Sequence, residues 1–526
     1  MKPAHNIMVS KALAILAALA PFTAGQARDR SKSDWNGHSR HDVLPKWTRL
    51  PGSVITEAWG FCPAASWPPS DVGERIVPQA ADAELKAMLD EVDPDRIENY
   101  ITKLVSFGTR HLLSQRNSST RGIGAARDWI YQEMLDFAEP SDGAMEVYYD
   151  SYIQGVAERV YFPVNVTNVV ARINGTEDSN RTYVVTGHYD SRALDIADYT
   201  GDAPGADDDA SGVAVLMEMA RVVAKMGRPK ATMMFVATSG EEQGLYGSAH
   251  LAQTLKNNSV NVEGNWNVDT VGTGKNEPYY PINDYTIRLF AASIFYPNYT
   301  GIAALERRYA LIGGWNDSPA QQLGRYIAEV AAGALEAVQM QVKLMYRPDR
   351  YLRGGDHLSF LEQGFPAVRF TEPYEDFKHQ HQNVRVADGG VQYGDLLRYV
   401  DFDFTARVAR VNLASMWSAA NAPGMPQEVG LSYGIGTSAA SEETPLEVLS
   451  NDSRLFWRTG DDSLVSSYEV VYRPSGSLQW THAVDVGVSG NVTLGLSKDN
   501  FQLGVRAVGA DGKKSPAVFP LPVDML

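Results

Sequence analysis

Gly205-Ala-Asp-Asp-Asp-Ala-Ser-Gly212 lies between a segment ending in His188-Tyr-Asp190 and another ending in Glu241-Glu242, and this succession decides the fold. Thr182-Tyr-Val-Val-Thr186 is short, β-branched and aromatic, and reads as a buried strand running into Gly187-His-Tyr-Asp-Ser191. Ala231-Thr-Met-Met-Phe-Val-Ala237 is a second continuous apolar run of strand length, broken by Ser239-Gly240 directly before the glutamate pair. Between them Val215, Leu216, Met219, Ala220 and Val223 recur at helical spacing, with Ser211-Gly212 as the opening signal. Strand, helix, strand in this order implies a right-handed crossover and a parallel sheet. Open sheets of this kind bind ligands beyond the carboxyl ends of their strands, where all three polar clusters fall. The expected class is α/β, a doubly wound sheet flanked by helices.

Residue types then suggest chemistry. Zinc accepts imidazole nitrogen and carboxylate oxygen, and a catalytic site keeps one position open for water. A second ion about 3.5–4 Å away needs a carboxylate that bridges both, and Asp208 on its tight turn is the candidate. In Glu241-Glu242 the adjacent side chains diverge, so one can bind metal while the other takes a proton from water. Asn265-Trp-Asn-Val-Asp-Thr270 predicts a further strand ending on Asp269. Asp356 to Phe370 predicts a helix, a Gly-Phe-Pro turn and a strand, and His379-Gln-His-Gln-Asn383 follows with imidazoles. Each feature has a plainer reading: an isolated acidic triplet is commonly a solvated turn, and an isolated Glu-Glu an exposed helix start. Order and strand-end placement together favour a metal site. His357 is open between shaping the pocket and closing a helix terminus.

At these residues, over Ile97 to Ala420, the chain resembles the zinc aminopeptidase superfamily of bacterial leucine aminopeptidases, aminopeptidase Y, glutamate carboxypeptidase II and glutaminyl cyclases. The resemblance also rests on Asn168-Val-Val-Ala171 and on Gly364-Phe-Pro-Ala-Val368. It implies the mixed sheet of the zinc exopeptidase fold and two zinc ions per subunit. One zinc is assigned to Asp208, Glu242 and a late histidine, the other to His188, Asp208 and Asp269. Glu241 is then the general base, and Asp190 the carboxylate that orients His188. The family's late histidine is usually followed four residues later by an aspartate. His379 keeps that spacing to Asn383 and is preferred, with His381 as the alternative; Asn383 can accept a hydrogen bond from the imidazole but carries no charge. The implied activity is an exopeptidase removing N-terminal residues. A carboxypeptidase, a glutaminyl cyclase and a noncatalytic binding ectodomain are the alternatives.

With 526 residues the chain exceeds one core, so two or three units are expected. Its net charge of −16 argues against nucleic acid or an anionic membrane as partner but favours no particular substrate; peptide or protein substrates are what the resemblance implies. Lys2 and Lys11, the apolar run Ala12 to Phe22 and small residues through Ala27 form a signal-peptide layout, too short for a membrane span, with cleavage after Ala27 or Ala24. An exported protein, periplasmic or extracellular, is expected. The single cysteine, Cys62, cannot form an internal disulfide and reads as a small apolar residue. Sequons such as Asn174-Gly-Thr176 matter only in a glycosylating source.

The expected layout is a signal peptide over 1–27, an N-terminal extension over 28–83 that packs on the catalytic domain or is processed, and a catalytic domain over 84–420. A linker over 421–430 and a C-terminal domain over 431–526 complete it. That last domain carries β-like runs at Arg454–Trp457, Ser467–Tyr472, Asn491–Leu494 and Phe501–Val508, and resembles a fibronectin type III β-sandwich with Trp457 as its core tryptophan. Such modules leave a surface, a polymer or a partner protein open as ligand.

Overall fold

The structure is a computed structural model describing residues 71–275, 283–293, 309–432, 450–459 and 463–522. The leader, most of the N-terminal extension and Cys62 lie outside these residues. All described residues belong to one compact unit spanning Ala64–Leu526. None of their helices is long and apolar enough to cross a membrane.

After a two-residue strand, β1 (Glu74–Arg75), the chain builds an eight-stranded sheet. Its strands are β2 (Met145–Gln154), β3 (Val164–Ile173), β4 (Asp178–His188), β5 (Ala231–Thr238), β6 (Asn261–Val268), β7 (Thr286–Ala291), β8 (Gln341–Met345) and β9 (Ala367–Thr371), in the order β2-β3-β5-β4-β6-β9-β7-β8. The central strands β5, β4, β6 and β9 run parallel, whereas β2–β3, β3–β5 and β9–β7 are antiparallel. The sheet is therefore mixed, as the resemblance implied.

Both faces are covered, which explains the unbroken apolar runs of β4 and β5. Tyr183, Val185, Met233 and Phe235 pack with the helices Gly122–Ala138, Ala210–Met226 and Phe402–Asn421, while Val184, Met234 and Val236 pack with Tyr246–Asn257 and His357–Glu362. Pairing of His188 with Thr238, and of Thr186 with Asn267, brings the carboxyl ends of β4, β5 and β6 to one edge.

The helix Phe402–Asn421 runs one residue past the boundary expected at 420, and β12 (Gln427–Leu431) starts within the expected linker, so only residues 422–426 lie between them. Further along come β13 (Ser453–Arg458), β14 (Val465–Pro474), β15 (His482–Asp485), β16 (Asn491–Leu494), β17 (Phe501–Gly509) and β18 (Leu521–Pro522). They form two four-stranded sheets, β1-β15-β14-β17 and β16-β13-β12-β18. The two share a core in which Leu455 and Trp457 of one meet Tyr468, Val470 and Val505 of the other.

Of the N-terminal extension only residues 71–83 are described. Glu74 and Arg75 pair with Ala483 and His482, and Val72 packs against the C-terminal core, so this stretch completes a C-terminal sheet instead of lying on the large one. Charged groups tie the C-terminal sheets to the helix Pro319–Gly333. Arg473 Nη2 lies 2.7 Å and Arg325 Nη1 3.2 Å from the buried Asp317 carboxylate, and Arg506 meets Glu329 at 3.0 Å. Removing one partner of so buried a pair typically costs about 3–5 kcal/mol.

Candidate metal centre

Three strand ends and two loops supply the site. Beyond Thr238 the chain turns at Gly240, whose φ of +79° lies in the left-handed region that glycine adopts without steric penalty. The turn is fastened by Asp190: its Oδ1 accepts from Gly240 N at 2.7 Å and Glu241 N at 3.2 Å, and its Oδ2 from Glu242 N at 3.1 Å. The sequence reading gave this carboxylate to His188, but His188 Nδ1 faces the main-chain oxygen of Asp190 at 3.1 Å, with the carboxylate at 3.8 Å. Asp190 thus holds the glutamate turn through its side chain and the imidazole through its backbone.

The acidic triplet divides its work. Asp209 caps the helix Ala210–Met226, accepting from Gly212 N at 2.9 Å, and also accepts from His188 N at 3.0 Å and Thr270 N at 3.2 Å. It therefore ties β4 and the end of β6 to the helix start. The helix can approach so closely because residue 212 is glycine: a Cβ there would lie 2.1 Å from Val268 O. Asp395 accepts from Asp207 N at 2.9 Å and Asp208 N at 2.8 Å. It reaches them because the hairpin of β10 (Arg385–Val386) and β11 (Gln392–Tyr393) folds the chain back.

Asp208 is left to face two groups. Its Oδ1 is 3.1 Å from His188 Nε2, which is 3.8 Å from Asp269 Oδ2. Its Oδ2 is 2.9 Å from His381 Nε2, which is 3.0 Å from Glu242 Oε1. His188, Asp208 and Asp269 form one group able to hold a metal ion, and Asp208, Glu242 and His381 form another. Zinc bonds of about 2.0–2.1 Å in tetrahedral geometry place ligand atoms about 3.3 Å apart, a spacing these distances bracket. Glu242 Oε1 is buried and, although His381 Nε2 is close, accepts no well-aligned hydrogen bond, which suits an oxygen that would bind a cation. The donor set fits zinc.

Electrostatics agree. Burial works against an imidazolium at His188, yet Glu241, Asp208 and Asp269 hold its pKa well above the ordinary histidine value. Burial likewise opposes charge on His381, but Glu242 and Asp208 raise its pKa to about 10. The carboxylates favour positive charge, which a metal held by His188, Asp208 and Asp269 or by Asp208, Glu242 and His381 would supply in place of those protons. Burial would raise Asp269, but the Arg369 guanidinium, 2.7 Å away, and His188 keep it low.

The expected ligand His379 lies elsewhere. Its ring stacks on Tyr399 at 3.6 Å between centroids, and its Nδ1 is 3.6 Å from Asp376. Two residues on, His381 adopts a φ of +55°, which turns its imidazole into the site. Asn383 accepts from Leu194 N at 3.0 Å and bonds neither imidazole ligand. His357 is buried against Pro348 O at 2.7 Å and belongs to neither donor group, so it braces a loop. We expect His381→Ala to lower bound zinc, measured by elemental analysis of purified protein, and His379→Ala to leave it at the wild-type level. Zinc loss confined to the His379 variant would return the role to that residue.

Sequence reasoning missed Asp395, Arg369 and Gln380, whose Nε2 donates to Asp208 Oδ2 at 2.8 Å. Asp395 and Gln380 stand in loops without strand context. Arg369 is an unexpected charge within β9.

Residues 168–387 match Peptidase family M28. A "Probable zinc metalloprotease" of Pyrenophora tritici-repentis is 52% identical over 489 residues, covering 92% of this chain and 96% of its own. Another of that name, from Pyricularia oryzae, is 52% identical over 472 residues, covering 88% of this chain and 89% of its own. Among solved structures, LapB from Legionella pneumophila aligns with 65% of this chain and 77% of its own at 21% identity and a TM-score of 0.45. Relatedness at this identity, along nearly the whole length, joins a donor set suited to zinc: the chain is a zinc metallopeptidase belonging to Peptidase family M28.

Proposed function

We propose that the chain is an exported aminopeptidase that works with two zinc ions. The observation that carries this reading is Asp208, whose two oxygens each belong to a different donor group. Zinc in such groups supplies a Lewis acid that polarises the scissile carbonyl and acidifies water. Glu241 is a donor in neither group, yet shares their acidic surroundings. Burial raises its pKa well above the ordinary glutamate value; His188 opposes this, and Asp269 and Glu242 add to it. As a carboxylate, Glu241 can take the proton of the attacking water and return it to the leaving amine. Asp190 keeps Glu241 in place by binding its backbone N–H.

The concentration of carboxylates favours a free, cationic amino terminus. Export is supported by Lys2, Lys11 and the apolar run Ala12 to Phe22. The C-terminal sheets, with Trp457 in their shared core, support a sandwich of fibronectin type III kind. The direction of attack is tested with leucine amide and N-acetyl-leucine amide. The first should be cleaved and the second should not. Release of C-terminal residues from acetylated peptides would select a carboxypeptidase.

A further inference from the structure

Beside the donor groups stands a guanidinium whose Nε makes no hydrogen bond to the described residues. Arg192 follows Asp190 by two residues, and its Nε is 3.7 Å from Glu242 Oε2, beyond hydrogen-bond reach. That Nε is buried and meets no acceptor among the described residues, although the side chain as a whole keeps 18% of its exposure. Two other arginines at this end of the sheet, Arg110 and Arg350, are differently placed, whereas Arg369 also keeps a buried Nε without a hydrogen bond but is paired with Asp269. Arg110 donates to the main-chain oxygens of Tyr189, Leu104, Pro204 and Gly205, and Arg350 to Asp349, Glu375 and Gly354. A buried donor left unpaired is costly, so the arrangement calls for an acceptor from outside the chain.

A second cation converges on the same residue. Arg159, exposed in the loop after β2, donates from Nη1 to the main-chain oxygen of Glu242 at 3.4 Å. Exposed apolar side chains come from the same two loops, with Leu194 55%, Tyr161 48% and Phe162 40% exposed. On the side of Glu242 the site is thus bordered by two arginines and an apolar rim.

We propose that Arg192, with Arg159 as its outer companion, binds a carboxylate of the substrate and thereby sets specificity. This rests on the aminopeptidase reading and deepens it. A guanidinium presents a planar fork matched to a carboxylate, which an ammonium cannot reproduce. The carboxylate can come from two sources, the free α-carboxylate of a dipeptide or an acidic side chain. Simple compensation of the Glu242 charge would need only a cation, so Lys in place of Arg192 separates the two roles.

The test compares kcat/KM in two pairs: Leu-Ala against Leu-Ala-amide, and the 4-nitroanilides of glutamate and glutamine. In the wild type the carboxylate member of at least one pair should be preferred. Arg192→Met should reduce that preference by about 10- to 100-fold, chiefly through KM, as loss of a charged hydrogen bond does. Arg192→Lys should restore part of it. The pair that responds identifies the source. Product binding by calorimetry, glutamate against glutamine, reads the same contact independently of turnover, and zinc content reads the integrity of the donor groups. An unchanged preference in both pairs, or an equal loss on all four substrates together with zinc, would overturn the proposal; the latter would make Arg192 a support of Glu242. If the wild type cleaves none of the four, the aminopeptidase reading fails. Calorimetry then decides on Arg192 separately, equal binding of glutamate and glutamine overturning it.

Discussion

Glu241→Gln is expected to keep its zinc while turnover falls by about 10²–10⁴-fold, the range for a lost general base. The substitution is nearly isosteric, and Glu241 belongs to neither donor group, so the cation sites stay assembled. The backbone hydrogen bond from residue 241 to Asp190 is also retained, because only the side chain changes. What disappears is the ability to hold a proton between two steps, since an amide is not basic. Metal analysis together with kcat on leucine amide checks the result. Near-normal turnover with zinc bound would remove Glu241 from the chemistry.

Asp208→Asn should deplete zinc from both groups together. Each carboxylate oxygen faces a different histidine, and asparagine offers one carbonyl oxygen, one amide nitrogen and no charge. The affinity loss should exceed the about 10–100-fold that follows removal of a hydrogen bond to a metal ligand. Asp209→Asn makes the contrast. Asp209 binds three backbone N–H groups and belongs to neither donor group, so its variant should lose about 1–3 kcal/mol of stability and retain zinc. Equilibrium denaturation and metal titration of both variants separate the effects. Loss of a single zinc from the Asp208 variant would show that this carboxylate does not bridge.

The strand ends were legible because continuous apolar runs such as Ala231–Ala237 leave little choice of structure, and polar residues at their ends must then gather at one sheet edge. Spacing within loops carries no such constraint. His379 and His381 differ by one turn of an irregular segment, and only the left-handed backbone at His381 decides which imidazole faces Asp208. Asp190 illustrates a second limit. The family resemblance made its carboxylate the partner of His188, whereas the chain leaves β4 between them and the carboxylate meets a turn fifty residues onward. Strand β7, the edge strand β8 and the short β1 escaped because segments of six, five and two residues are too brief for an alternating pattern to stand out.

Strand β1 also sets a timetable for making the protein. The main-chain oxygen of Val72 receives the hydroxyl of Tyr472, 400 residues later, and Glu74 waits for Ala483. At ribosomal rates of about 5–20 residues per second, that interval lasts roughly 20–80 s. The first described strand therefore spends that interval without its partner strand. The sheet edge closes only when the last strands emerge. The finished molecule is in effect a noncovalent ring, and a nick near either end would loosen the other.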